Sequence, residues 1–118
     1  MESILTSIKK MLGITDEYEH FDPELIIHIN SALMILTQIG VGPESGFSIV
    51  DKTSKWSDFV ENIEQIQAVK SYVYYRVKLA FDSSSSSSMV IESLNRMITE
   101  LEFRLNVAVD TDPNEVDY

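Results

Sequence analysis

The sequence contains no cysteine, and only four glycines and three prolines interrupt its 118 residues. Without cysteine the chain has neither a disulfide framework nor a thiolate metal site, which suits a reducing compartment. It also lacks any run close to the roughly 18 consecutive apolar residues that a membrane-spanning helix needs. Residues 1–12 show no basic start, hydrophobic block and small-residue cleavage site, so no secretory signal is predicted. We therefore expect an intracellular, soluble protein without membrane contact.

Basic side chains are scarce too, since nine Lys and Arg stand against nineteen Asp and Glu, for a net charge of -10. Residues 16–24 hold five acids and residues 110–118 hold four, and neither segment has a Lys or Arg. The remaining ten acids nearly balance the nine bases, so the acidity is confined to one early loop and one tail. Such a chain gains nothing from counterion release on a phosphate backbone, which argues against adhesive binding to nucleic acid.

The length and a hydrophobic fraction of 44% predict one domain with a single modest core. Apolar residues recur at helical spacing in residues 2–12 and stop at Gly13, which predicts a short first helix. A second, long helix is predicted from Asp22, as the cap, with Pro23 at the first helical position, to about Ile39. Its expected core stripe consists of Leu25, Ile29, Ala32, Leu33, Leu36 and Ile39.

Two apolar residues of the second helix lie outside this stripe. Ile27 and Met34 are seven residues apart and fall on the far side of the helix, among polar residues. They are either isolated surface residues, which are common, or a second contact face for a neighbouring subunit, because a helix that is apolar on two sides usually touches something on both. The pattern alone leaves both interpretations open.

Residues 41–59 form a long central segment that glycine and proline keep from being helical. The alternation from Phe47 to Ile49 also allows a short strand or hairpin over residues 47–56. We expect one helical turn at its end to attach this loop to the core, through Trp56, Phe59 and Val60.

A third helix is predicted from Asn62, because Gln65 follows three residues later as in a capping box. Its expected core positions are Ile63, Ile66, Val69, Val73, Val77 and Ala80. Its other faces carry Tyr72, Tyr74 and Tyr75, large amphipathic side chains that suit either an interface or the edge of the chain's own core.

Six serines at residues 83–88 read as a flexible linker, and a last helix follows from about Met89 to Val107. Its expected core positions are Val90, Leu94, Met97, Ile98, Leu101, Leu105 and Ala108. Residues 110–118 are too polar and too charged to pack against a core. The prediction is therefore an all-α fold, a small bundle of about four helices in a domain of residues 1–109, with a long central loop and a flexible acidic tail at residues 110–118.

No arrangement of residues points to catalysis. The sequence has no nucleophile elbow, phosphate-binding loop, zinc-protease helix, calcium loop or dinucleotide fingerprint. His28 fits a structural role, and a cation site built from the acidic loop and His20 would lack a glycine turn and further ligands. We predict no enzyme activity, no cofactor and no metal. One alternative is a small acidic regulatory module that sequesters a basic partner protein, although acidity at two ends argues against mimicry of DNA.

The order of the segments resembles the head-tail connector, or adaptor, proteins of long-tailed bacteriophages and Gram-positive prophages. The resemblance runs from the first helix to Asn106, and the segments that carry it are YEHFDPELIIHINSAL, IGVGP followed by GFSI, KWSDF, VKSYVYYRVKLAFD and NRMITELEFRLN. One departure is the serine run, where the family would lead us to expect a proline-containing turn.

The resemblance implies an all-helical structural protein of the virion that is assembled in the bacterial host cytoplasm. Copies would form a ring, typically a dodecamer, at the head-tail interface beneath the portal protein. The other side of the ring would receive a stopper or tail-completion protein, and DNA would pass through the hole without sequence-specific binding.

This role suggests tasks for particular residues. The channel lining is expected at Asp16, Glu17 and Glu19, since carboxylates repel phosphate and let a duplex slide. Contacts between subunits are expected at Ile27, Met34, Tyr72 and Tyr75. A tail that folds onto a partner is expected to use Asp110, Asp112, Glu115 and Asp117.

Overall fold

A computed structural model of the chain describes residues 2–82 and 87–110. In these residues it has five α-helices and no strand, which confirms the predicted all-α class. The helices are α1 (Ile4–Met11), α2 (Asp22–Gln38), α3 (Trp56–Phe59), α4 (Ile63–Asp82) and α5 (Ser88–Asp110). The last helix thus runs past its expected end at Val107, and the predicted tail beyond Asp110 lies outside the described residues, as does most of the serine run.

Side chains cap the starts of α1 and α4, whereas the start of α2 has no side-chain cap. The Ser3 hydroxyl accepts a hydrogen bond from the Thr6 amide at 3.2 Å at the start of α1. At α4 the Asn62 side chain accepts from the amide of Glu64 at 2.9 Å, which confirms the predicted cap. The cap predicted at Asp22 is wrong, because Asp22 is already helical and its carboxylate turns to another partner.

The core lies where α4 packs between α2 and α5, with α1 and α3 closing over it. Of the stripe predicted on α2, all but one side chain are fully buried, and Ile39 is partly buried. Trp56 is fully buried as well, and its Nε1 donates to the Ser7 hydroxyl at 2.8 Å, so α3 is joined directly to α1. A Cβ at Gly42 would overlap the Phe59 ring, and this close approach explains the glycine there.

The hairpin considered for residues 47–56 does not form in the described chain. The backbone of the central loop is bonded to a side chain of α2 instead, since the Ile49 amide donates to Asn30 Oδ1 at 2.7 Å and Asn30 Nδ2 donates back to the Ile49 carbonyl at 2.9 Å. Because this pair of bonds satisfies Ile49, no neighbouring strand is needed. The one extended contact in this region is an isolated bridge between Ser3 and Lys55.

Several positions that the periodicity predicted as core are exposed. Ile63, at the first turn of α4, is 70% exposed. The others are Ala80 of α4 and Val90, Met97 and Ala108 of α5. Because α5 packs mainly against α4, only a narrow stripe of α5 is buried in the described chain. This stripe consists of Leu94, Ile98 and Leu105, and Leu101 beside it is partly buried. The apolar pattern of α5 is wider than the surface that its neighbour covers.

Candidate functional site

The acidic loop between α1 and α2 is held by a buried lysine. Lys9 is 1% exposed, and its Nζ donates to the Asp16 carbonyl at 2.9 Å and lies 2.9 Å from Asp22 Oδ1. The ion pair compensates the cost of burying the ammonium group. Sequence reasoning missed this pair, although Lys9 follows Ile8 on the buried side of a short helix, where a charge needs a partner.

The three acids predicted to line a channel are all exposed on this loop. The negative charge of Asp16 is partly compensated, since its carboxylate accepts a hydrogen bond from the Thr6 hydroxyl at 3.1 Å and lies 3.9 Å from Lys52 Nζ. Glu17 and Glu19 make no ion pair with any residue that the structure describes. The loop therefore presents two uncompensated carboxylates to its surroundings.

A surface cavity of about 240 Å³ lies beside this loop. Carboxylates line it from both sides, at Asp16, Glu19, Asp22 and Asp51. Hydrogen bonds from Thr53, chiefly from its hydroxyl and then from its amide, hold the pKa of Asp51 below its usual value, so this carboxylate stays ionised. Within residues 2–82 and 87–110 no three His, Cys, Asp or Glu side chains are placed to share a metal ion.

The outward side of α2 carries the two apolar residues that the sequence singled out. Ile27 is 64% exposed and Met34 is 55% exposed. Ser31 lies between them, and its hydroxyl donates to the Ile27 carbonyl at 3.0 Å, so its hydrogen bond is made within the helix. A shallow groove borders Met34, formed with Phe47 of the central loop.

Tyr72 is not available to a second chain, and its assignment to a subunit contact is corrected. It is fully buried, and its hydroxyl donates to Glu102 Oε2 of α5 at 2.6 Å. Arg76 completes the group, 3.6 Å from the same carboxylate and 5.9 Å from the centre of the Tyr72 ring. Burial, and then the bond to Glu102, raise the pKa of Tyr72 above its ordinary value of 10.0. A helical wheel drawn for α4 alone could not show that α5 covers this side.

Tyr75, in contrast, keeps part of its surface. It packs against Tyr74 with ring centroids 5.4 Å apart, and with Met97 and Arg104 it lines a shallow groove between α4 and α5. It is thus placed where a neighbouring chain has access.

Sequence reasoning also missed an apolar face on α5. Met89 is 78% exposed and Phe103 is 69% exposed. They lie fourteen residues apart, nearly four helical turns, and so project from the same side. Neither belongs to the predicted core stripe, and this was the signal available in the sequence.

The acids predicted for a partner-binding tail begin at Asp110, which ends α5. Asp112, Glu115 and Asp117 lie outside the described residues, so the tail remains a prediction. In the part of the chain that the structure covers, no helix combines the length and apolarity that crossing a bilayer requires.

Comparison with known proteins identifies the chain through its family. The model of a family described as phage connector protein matches residues 4–112, nearly the whole length. No curated protein and no solved structure matches the chain. The match confirms the resemblance found in the order of the segments. The chain therefore belongs to the phage connector family, structural and non-enzymatic proteins of the virion's head-tail interface that associate with portal and tail proteins.

Proposed function

We propose that copies of this chain form a ring, typically a dodecamer, beneath the portal protein and join the filled capsid to the tail. The observation that carries the proposal is the outward apolar face of α2 at Ile27 and Met34. The opposite side of the same helix is buried in the chain's own core. A helix with two apolar sides has a second contact to make, and in a connector that contact is with a neighbouring subunit.

The proposed neighbours lie on the two sides of the ring. One side grips the portal, and the other receives a stopper or tail-completion protein after assembly in the host cytoplasm. Membership of the connector family supports association with portal and tail proteins in general. Tyr75, with the groove between α4 and α5, offers surface for such contacts.

Passage of DNA through the hole is the second part of the proposal. Glu17 and Glu19 are exposed and carry no counter-charge among the described residues, and the chain as a whole has a net charge of -10. A wall of this sign repels phosphate, so that the duplex slides instead of adhering. We assign the channel lining to this loop, with Asp16 at its edge.

The ring is tested by mixing the full chain with purified portal rings and imaging the product by electron microscopy. We expect an added ring of density on the portal. Replacing Ile27→Glu and Met34→Glu together should abolish this ring while circular dichroism stays unchanged, because both side chains are exposed. The matched control is Val50→Glu, which places the same charge at an exposed apolar residue of the central loop.

Two results would contradict the proposal in different ways. If the double variant adds a ring as well as the wild type does, the face of α2 is not the subunit contact. If the wild-type chain does not bind the portal and instead binds a basic host protein tightly, the protein is a regulatory module that sequesters this partner, and the proposed ring is wrong.

The channel is tested by reversing charge in phage particles. Glu17→Lys with Glu19→Lys should slow genome ejection, since the lysines would bind passing phosphates and make the process sensitive to salt. Glu61→Lys, at an exposed acid outside the loop, is the control. Ejection at the wild-type rate in the double variant would show that the loop faces away from DNA.

A further inference from the structure

The acidic loop that joins α1 to α2 is attached at three points to one residue of α1, Lys9. Near the start of the loop, the Lys9 carbonyl accepts a hydrogen bond from the Ile14 amide at 2.8 Å. In the middle, the Lys9 ammonium donates to the Asp16 carbonyl at 2.9 Å. At the end, the same ammonium lies 2.9 Å from Oδ1 of Asp22, the first residue of α2. A single residue therefore contacts the start, the middle and the end of the loop.

The ion pair at the end of the loop lies inside the protein. Lys9 is 1% exposed, and Asp22 Oδ1 is a buried atom whose charge is compensated by Lys9 alone among the described residues. Because both groups are buried, water cannot replace either one. Separating such a pair costs more than separating an exposed one, since a charge is left without a partner in an apolar environment. The loop cannot move away from α1 unless this pair breaks.

The contacts of Lys9 also divide the carboxylates of the loop into two groups. Asp16 and Asp22 are fixed through Lys9, one by its carbonyl and the other by its carboxylate. Glu17 and Glu19 lie between these two fixed residues, are exposed and form no ion pair in the described chain. Only five residues separate the two fixed positions, and so short a segment has few conformations open to it.

We propose that Lys9 is a positioning residue that holds the acidic loop against α1 in one arrangement, with Glu17 and Glu19 outside. The inference rests on the channel proposed above for these two carboxylates, and it assigns their placement to a residue that is itself too buried to touch DNA. Without the ammonium group, the Asp22 carboxylate has no partner and the Asp16 carbonyl has no donor. Repulsion among the carboxylates then moves the loop away from α1.

Native-state proteolysis of the full chain tests this role. A protease that cleaves after glutamate cuts the loop after Glu17 and Glu19, and cleavage after Glu100, in the middle of α5, reports on wider unfolding. Lys9→Met removes the ammonium group and keeps an unbranched side chain of similar length. We expect this variant to raise the rate of loop cleavage, relative to cleavage after Glu100, by about tenfold, because local opening limits the reaction. Mass spectrometry of the fragments measures both rates.

The adjacent lysine of the same helix provides the matched control. Lys10 is exposed and forms no ion pair with any residue that the structure describes, so Lys10→Met removes the same charge and should leave the ratio of the two rates unchanged. An equal rise in Lys10→Met, or the wild-type ratio in Lys9→Met, would overturn the positioning role.

A second variant separates positioning from simple compensation of charge. Lys9→Met combined with Asp22→Asn removes both charges, so no unpaired carboxylate remains to prevent folding. The bond to the Asp16 carbonyl is still missing, and we expect loop cleavage to stay fast. The wild-type ratio in this double variant would show that Lys9 only balances Asp22, and would refute the inference.

Genome ejection distinguishes this inference from the proposed channel. In phage particles Lys9→Met should slow ejection, because a loop that is no longer held can obstruct the duplex. Fast loop cleavage with ejection at the wild-type rate would confirm the role of Lys9 and refute the assignment of the loop to the channel. Unchanged cleavage would refute the role of Lys9 whatever the ejection rate.

Discussion

The helices α2 and α5 both flank α4, yet the molecule covers them to different degrees. On α2 the inward stripe is completely buried, and Asn30 also binds the central loop through both of its amide atoms. On α5 three side chains are buried, and large apolar ones such as Met89 and Phe103 remain exposed. The helix α2 is thus enclosed by α1, α4 and the central loop, whereas α5 rests mainly on one neighbour.

A polar link between Tyr72, Arg76 and Glu102 also holds α5 to α4. The buried Tyr72 hydroxyl and the Arg76 guanidinium both reach the Glu102 carboxylate, and so join α4 to α5 in addition to the apolar contacts between them. Hydrogen bonds to a charged group are among the stronger ones in proteins. The inward side of α2 is therefore covered by several neighbours, whereas α5 leaves large apolar side chains exposed next to a narrower buried stripe.

The largest expected effect comes from removing matched leucines on the two helices. Leu33→Ala on α2 should reduce the free energy of unfolding by about 4 kcal/mol, because its surroundings cannot collapse into the cavity. Leu105→Ala on α5 should cost about 2 kcal/mol, because solvent and the mobile side chains of a one-sided contact can fill the space. Urea denaturation followed by circular dichroism measures both.

Equal losses of stability for the two leucines would mean that α5 is as firmly enclosed as α2. Both residues are almost completely buried, at 0% and 3% exposure, so burial alone does not predict the difference.

A smaller effect is expected from cutting the polar link. Tyr72→Phe keeps the ring and removes the hydroxyl, and should reduce the free energy of unfolding by about 1 to 2 kcal/mol, because a hydrogen bond to a charged group is lost. Tyr18→Phe, at a tyrosine that is half exposed in the acidic loop, is the control and should change stability by less than about 0.5 kcal/mol.

The Tyr72→Phe variant should also change how stability depends on pH. Burial and Glu102 raise the pKa of Tyr72 above 10.0, so the folded chain holds the phenolic proton more tightly than the unfolded chain does. The resulting stability is complete below about pH 10 and is lost as the pH rises from there towards the higher pKa of the folded state. Wild-type protein should therefore lose stability above about pH 10 more steeply than Tyr72→Phe. Parallel alkaline profiles in urea titrations would show that folding does not raise the pKa of Tyr72.

Much of the fold could be predicted because it depends on local signals. Gly13 and Asn62 mark the end of α1 and the start of α4 through backbone and capping chemistry that involves few residues. Asp22 was misassigned, because a carboxylate at a helix start can serve either as cap or as ion-pair partner. The buried Lys9 decided between them, and nothing near Asp22 in sequence reveals it.

The residues proposed for contacts between subunits show the same difference between local signals and contacts made by distant residues. Ile27 and Met34 could be found on a helical wheel, because a two-sided helix is visible from spacing alone. Tyr72 was misassigned, because α5 buries it. Phe103, which no prediction named, is left exposed. The acids of the tail stay predictions, since Asp112 and the acids after it lie outside the described residues.

Spacing, composition and segment order were enough to predict the all-helical class, the buried stripe of α2, the confinement of acidity to a loop and a tail, and the family. Which side chains outside the α2 stripe are buried depends on how the helices pack together. A helical wheel places each residue relative to its own axis, but the width of the buried stripe depends on how many neighbours pack against the helix. For this reason Tyr72 is buried in the core, whereas Phe103 remains exposed on α5.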